Sequence, residues 1–411
     1  MTDRRNGGEA RDRDGGEPVK VLVAGGTGVT GRLVRGMLGV VDGIELAYTS
    51  RQKPDDGPGR HFPLRIAAGH NEICRVFRKH DWVVNCTGPF EVHADSLARA
   101  CIDSGTGYID VNDSIDARRA IMALDGDARR EGVPVLTGFG LCPGLSTALL
   151  MLGARAAGAE EVRDVRVDLR IGADQESGAA SVESMFRTIR GGYRAMLGGA
   201  IVEVRRNLVS SQSGIGYECP DIDVVREACP SIRGYSYHVA FDALPDESVE
   251  KIRTSRLYAM PVVSGLLARL GAAVTSRKAR AKGTPQPAEL VVALSSAGAG
   301  DAGSAAETTV VRATGPGSYK MTAAIASATV LAVAGKPVVP GCRDLVGHPR
   351  LLEPVLAFAR DAGIHIETPH DDLTTGPLPA VAPWSGCHAA FRYGCLHRGR
   401  RRGPVRGAGG G

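Results

Sequence analysis

The sequence predicts an α/β protein: an N-terminal Rossmann doubly wound parallel sheet, then a second mixed α/β domain with a largely antiparallel sheet. Three observations carry this. The stretch 19–31, VKVLVAGGTGVTG, passes from a short apolar run into a glycine-rich turn. Apolar runs then alternate with helix-length segments to about residue 137, the pattern of parallel strands joined by crossover helices. Beyond residue 141 the strand-like runs alternate in polarity, and two of them flank a Gly/Ala/Ser/Asp connection, as in a hairpin.

The first strand, 19–24, is apolar or β-branched at five of six positions, as a buried parallel strand requires. Gly26-Thr27-Gly28-Val29-Thr30-Gly31 closes it, and a helix follows over 32–40. Gly26 permits the tight turn, Gly28 lets backbone approach a pyrophosphate, and Gly31 lets the helix pack close to the strand. The helix N-terminus then offers free N–H groups and partial positive charge to phosphate. A turn serving only structure has the same letters; the strand before it and the helix after it select dinucleotide binding.

The second strand, 44–50, leads into Thr49-Ser50-Arg51. A site preferring NAD places an acid near this point for the ribose hydroxyls. Two hydroxyls and a guanidinium suit a 2′-phosphate instead, so NADP(H) is the expected cofactor, with Ser50 and Arg51 in contact. The competing reading is a solvated turn with an ordinary surface arginine.

A turn-rich loop (52–60), a short strand (61–67) and a short helix (72–79) come next. The strand 81–86 runs into Thr87-Gly88-Pro89, expected beside the nicotinamide ribose. A helix (94–104), a strand (107–111), a helix (115–131) and a strand (133–137) complete the domain, 18–140. Pro143-Gly144 opens a helix over 145–157. A strand (162–171), a helix (181–194), a strand alternating like an antiparallel one (235–243), a hairpin (289–297 with 305–314) and an Ala-rich helix (320–334) build the second domain, 141–340.

GGTGVTG, NCTGPF, ACIDSGTGYIDV, EGVPVLTGFGLCPGLS and TTVVRATGPGSYKMTAAIASATVLAVAGK together resemble the saccharopine dehydrogenase-like oxidoreductases, over about residues 18–370. The resemblance implies that 341–370, with a helix over 350–362, returns to the first domain. It also implies hydride transfer between NADP(H) and a small imine or carbonyl substrate. Saccharopine reductases resemble L-D-P-G-I-D-H at the loop joining the domains. Here Leu141-Cys142-Pro143-Gly144-Leu145-Ser146-Thr147 lacks those charged groups, so saccharopine itself is not the expected substrate. A trans-acting enoyl reductase of lipid or polyketide intermediates, a non-catalytic NADP(H) sensor and a protein docking partners through its tail are the alternatives. No tyrosine has a lysine four residues later, which excludes the short-chain dehydrogenase proton relay.

Ligands of open α/β sheets bind beyond the carboxyl ends of the strands. The loop 110–113 supplies two carboxylates and an amide, of which Asp110 and Asn112 are the catalytic candidates. Ser146 and Thr147, near the first turn of their helix, are expected to donate to a substrate oxygen. The same residues read equally as helix caps and turn formers. His93 is a further proton-donor candidate.

The formal charge of +5 arises in the tail: residues 373–411 hold six arginines and no acid, and the rest of the chain stands at −1. Residues 1–17 and 371–411 are expected to be disordered. The partner expectations are a small-molecule substrate and a homodimer, without nucleic acid or membrane. Nine cysteines without a C-x-x-C pair suggest a reducing cytoplasm. Cys387, His388, Cys395 and His397 lack a zinc-ligand spacing, and no metal is expected.

Overall fold

The computed structural model describes residues 17–50, 55–64, 69–173, 175–204, 214–282, 286–296 and 307–369. All lie in one compact unit, Met1–Leu378. The expectations for residues 1–16, Arg51 and 371–411 fall outside the described residues.

The chain begins β1 (Val19–Ala24), α1 (Val29–Leu38), β2 (Ile44–Thr49), β3 (Arg60–Phe62), α2 (His70–Phe77), β4 (Trp82–Asn85) and α3 (Phe90–Ser104). It continues β5 (Gly107–Asp110), α4 (Ile115–Met122), α5 (Asp125–Arg130), β6 (Pro134–Leu136) and α6 (Leu145–Ala157). Next come β7 (Val162–Ile171), α7 (Ala179–Gly191), β8 (Tyr193–Leu197), β9 (Ala200–Val204), β10 (Ile215–Tyr217), α8 (Asp221–Ala228) and β11 (Gly234–Phe241). The remainder is α9 (Asp246–Thr254), α10 (Pro261–Lys282), β12 (Ala288–Ser296), β13 (Thr308–Gly315), α11 (Ser318–Val333), β14 (Gly341–Arg343), α12 (Leu352–Asp361) and β15 (His365–Glu367).

The first sheet is seven-stranded, in the order β14-β6-β5-β4-β1-β2-β3. Every ladder in it is parallel. The order reverses beside β1, where β2 lies on one side and β4 on the other, so a crevice opens at their carboxyl ends. Leu22, Val83, Phe77, Leu97, Ile121 and Val135 form its core on the face covered by α2, α3 and α4. On the other face α11 packs against α1 and α12. Ala323, Ala324, Ala326 and Ala328 are buried there, and the missing side-chain bulk lets three helices approach closely.

The second sheet runs β15-β13-β12-β7-β11-β8-β9, with β10 also on β11. Its ladders are antiparallel except β7 with β11. The strand read as antiparallel from its alternation therefore lies parallel to its longest partner. Alternation reports which face is buried and says nothing of strand direction.

Three further expectations are corrected. The helix over 115–131 breaks after Met122, and Asp125 of the new segment accepts the N–H of Cys342 at 2.9 Å, fastening β14. Residues 341–370 divide: β14 joins the first sheet, but β15 pairs with β13 in the second. Finally, β8, β9, β10, α8, α9 and α10 were not anticipated; they lie where the sequence is less regular in period.

Candidate active site

The turn after β1 is built by contact. A Cβ on Gly26 would stand 2.5 Å from Tyr48 Cβ, and one on Gly31 2.3 Å from Gly25 O. Gly31 is thus the point where α1 and the end of β1 touch. Gly28 caps α1 without a side-chain hydrogen bond, and the first turn carries no acid, so the amide end of the helix faces outward uncompensated. Arg35, on the buried side of α1, lies 3.4 Å from the Tyr48 ring centroid and donates to Gly26 O (3.0 Å) and Pro58 O (2.8 Å). It also grips Asp55, whose carboxyl that hydrogen bond holds below its usual range. Arg32 reaches from Thr27 O (2.8 Å) to Glu176 (2.9 Å), beyond β7.

At the end of β2, Thr49 and Ser50 are both buried, with Ser50 Oγ 3.3 Å from His61 Nε2. After β4, Asn85 donates to Tyr108 Oη (3.0 Å) and accepts the Thr87 N–H (2.9 Å). Thr87 Oγ1 is buried without a hydrogen-bond partner and faces Gly25, where a Cβ would come within 2.8 Å of it. An orphaned hydroxyl against the glycine turn fits a site shaped for a polar ligand.

Beyond β5 the structure reassigns the candidates. Asp110 is fully buried and accepts from Thr137 Oγ1 (3.0 Å) and the N–H groups of Gly138 (2.7 Å) and Asn112 (3.1 Å). Burial pushes its pKa up to about 6. Asn112, also buried, spends its amide on Ser114. Asp110 thus fastens the loops after β5 and β6 together, and Asn112 braces the first of them from within.

The turn after β6 is set by Gly144, at φ +112°, where a Cβ would lie 2.3 Å from Gly140 O. Ser146 and Thr147 are buried, and both donate to the carboxylate of Asp221, the second at 2.5 Å. Thr147 Oγ1 also accepts the Gly144 N–H at 3.2 Å. Burial raises the Asp221 pKa. The hydroxyls expected to meet substrate are thus committed inside the protein, to an acid 75 residues away in sequence.

A cavity of about 1200 Å³ opens between these loops and the second sheet. Thr30, Gly88, Pro89, Asp113, Leu141 and Cys142 form its first-sheet side. The opposite wall is mostly apolar and aromatic, with Leu169, Ile171, Phe186, Tyr237, Val239 and Phe241. Asp110, Asn112, Ser146, Thr147 and His93 are not on its wall. Asp113 is: it is exposed on the cavity wall, and the protein packed around it, with the Glu91 carboxylate adding to the effect, pushes its pKa up to about 6. Asp110, Asn112 and Asp113 share one loop, and only side-chain direction separates the one on the cavity wall from the two that are not. Burial drives the Cys142 thiol up to about 12 and raises the Tyr237 phenol, so both stay protonated. The wall arginines are engaged, Arg187 with Glu91 (2.6 Å) and Arg194 with Asp116 and Glu218 (2.7 Å each).

No protein-family model and no curated protein matches the sequence. Among solved structures, apo saccharopine dehydrogenase (L-Glu forming) from Saccharomyces cerevisiae matches at 12% identity over 85% of this chain and 99% of that one, with a TM-score of 0.55. C. glutamicum DAP dehydrogenase in complex with DAP matches at 16% identity over 81% and 95%, with a TM-score of 0.45. The chain has a saccharopine dehydrogenase-like fold with a Rossmann-type parallel sheet.

Proposed function

We propose that the protein is an NADP(H)-dependent oxidoreductase that transfers hydride to or from a polarised double bond of an uncharged, largely apolar small molecule. One observation carries this reading: the same cavity is lined by Thr30 of the glycine-turn helix, by Gly88-Pro89 and by Asp113, under an apolar wall.

The α1 amide end and the Gly26–Gly31 turn would hold the pyrophosphate. Thr49-Ser50-Arg51 favours the 2′-phosphate, and Asp55, the nearest described acid after β2, is neutralised by Arg35. The nicotinamide, when bound, supplies or accepts the hydride. Asp113, whose pKa is raised to about 6, carries a proton below that pH and delivers it to the substrate atom that becomes negative. The apolar wall excludes water and strengthens that interaction.

A substrate carboxylate would compete with Glu91, Asp116 and Glu218 for the two wall arginines, which leaves Lys251 as the wall cation without an ion pair among the described residues. An enoyl thioester is the second reading, favoured by the apolar wall. The open cavity argues against a sensor whose site is closed by side chains.

The test is fluorescence titration with NADPH and NADH, followed by NADPH oxidation with apolar enoyl, carbonyl and imine compounds beside charged amino-acid imines. Tighter NADPH binding and turnover of an apolar compound are expected. Binding of neither dinucleotide, or turnover confined to charged imines, overturns the reading.

A further inference from the structure

Among the described residues, six of the eleven exposed large apolar side chains fall between Leu257 and Val274. Four lie on α10: Val262 (85% exposed), Leu266, Leu270 and Val274. Their spacing of four places them along one side of the helix, while Ala268 and Ala272 are buried on the side that packs against α7. Leu257 and Met260, just before α10, are exposed as well. An apolar helix face of this length left open is unusual for a surface that meets only water.

Two further facts identify what covers it. Residues 251–288 hold eight lysines and arginines and no acid, in a chain that stands at −1 outside its tail. Arg269 and Arg277 are exposed on α10 itself, interleaved with the apolar row. In addition, Leu270 and Val274 belong both to the exposed row and to the cavity wall, so the patch is the lip of the cavity.

We propose that α10 is an interfacial helix that seats the mouth of the cavity on an anionic lipid bilayer. Apolar side chains with interleaved arginines are what a helix lying in the headgroup plane presents. Two copies of the chain meeting through this face would bring Arg269 and Arg277 of each towards those of the other, which disfavours a dimer contact. No described helix is long and apolar enough to cross a membrane, so the contact is a surface one. It stands on the surface of the molecule alone and does not depend on the reaction proposed above.

The experiment is flotation of the full chain with vesicles of phosphatidylcholine alone and of phosphatidylcholine mixed with phosphatidylglycerol. The protein should float with the mixed vesicles. Val262→Ser with Leu266→Ser, at exposed positions off the cavity wall, should weaken this by about tenfold or more. Arg269→Glu with Arg277→Glu should remove the preference for the anionic lipid. Circular dichroism melts of both variants matching the parent chain establish that folding is intact. Failure of the parent chain to float, or unchanged flotation of both folded variants, overturns the proposal. So does a parent dimer, seen by light scattering, that Val262→Ser with Leu266→Ser converts to monomer: the face would then be a self-interface.

Discussion

Asp113 and Ser146 show how little a residue's type says about its role until its direction is known. Asp113 is exposed on the cavity wall with its pKa pushed up to about 6, whereas Ser146 points inward at Asp221. Asp113→Asn should lower kcat for substrate reduction by roughly 10²-fold or more, the usual worth of a positioned acid. In the parent enzyme the reduction rate should fall as pH rises through about 6, and the variant should lose that limb. The stability sign is fixed too. Asp110 and Asp113 bind a proton more tightly folded than unfolded, so that stabilisation is complete below the unfolded carboxylate pKa and disappears as pH rises through about 6. Thermal melts at pH 5 and 8 should show Asp113→Asn losing less stability across that interval than the parent. Ser146→Ala should behave oppositely, costing about 1–3 kcal/mol of stability by leaving Asp221 short of a buried donor, with turnover per folded molecule retained. Arg51→Ala should weaken NADPH by about 1–3 kcal/mol and leave NADH unchanged, as titration of both would show. Equal losses would remove Arg51 from the 2′-phosphate.

At the scale of elements, the turn between β6 and α6 is held by geometry rather than by substrate. Gly144 sits at φ +112° with no room for a Cβ beside Gly140 O. Gly144→Ala should therefore cost about 1–3 kcal/mol in backbone strain, before the steric contact is counted. Its melting temperature should fall clearly, and the loss of activity should follow the loss of folded protein. A variant as stable as the parent would mean that the turn relaxes without cost. The strands and helices that the sequence foretold well are those with one dominant period. β7 and α6 begin and end where their patterns do, and the β12–β13 pair is the hairpin that its two β-rich runs announce. The helix α10 is not legible in the sequence because it is buried on one side and apolar on the other, which erases the amphipathic signal.

For the whole molecule, closure over the cavity is spanned by Arg32–Glu176, Arg187–Glu91 and Arg194–Asp116, each joining a first-sheet element to one around the second sheet. Pairs this exposed contribute about 0–1 kcal/mol each, so the contacts of α11 with both β5 and β13 and the buried Arg118 pairs with Asp223 and Glu227 tie the two layers more firmly. A dinucleotide that binds only the folded chain adds to that by mass action. At a hundredfold excess over Kd, NADPH should stabilise the protein by about 2.7 kcal/mol, read as a rise in melting temperature. NADH at the same concentration should raise it less. An unchanged melting temperature with NADPH at saturating concentration would contradict binding at the glycine turn.

The sequence by itself determined the parallel sheet, the glycine turn at its centre and the loops that lead to the ligand edge. Those features are local: a period, a turn residue and the order of strands and helices suffice for them. Tertiary structure alone decided that Asp113 lies on the cavity wall while Asp110 fastens two loops and Asn112 braces one. It alone brought Asp221 to Ser146 and Thr147, and set α10 at the cavity lip. Side-chain direction and contacts between segments far apart in the chain depend on how two sheets pack, and neither is written in any one stretch of residues.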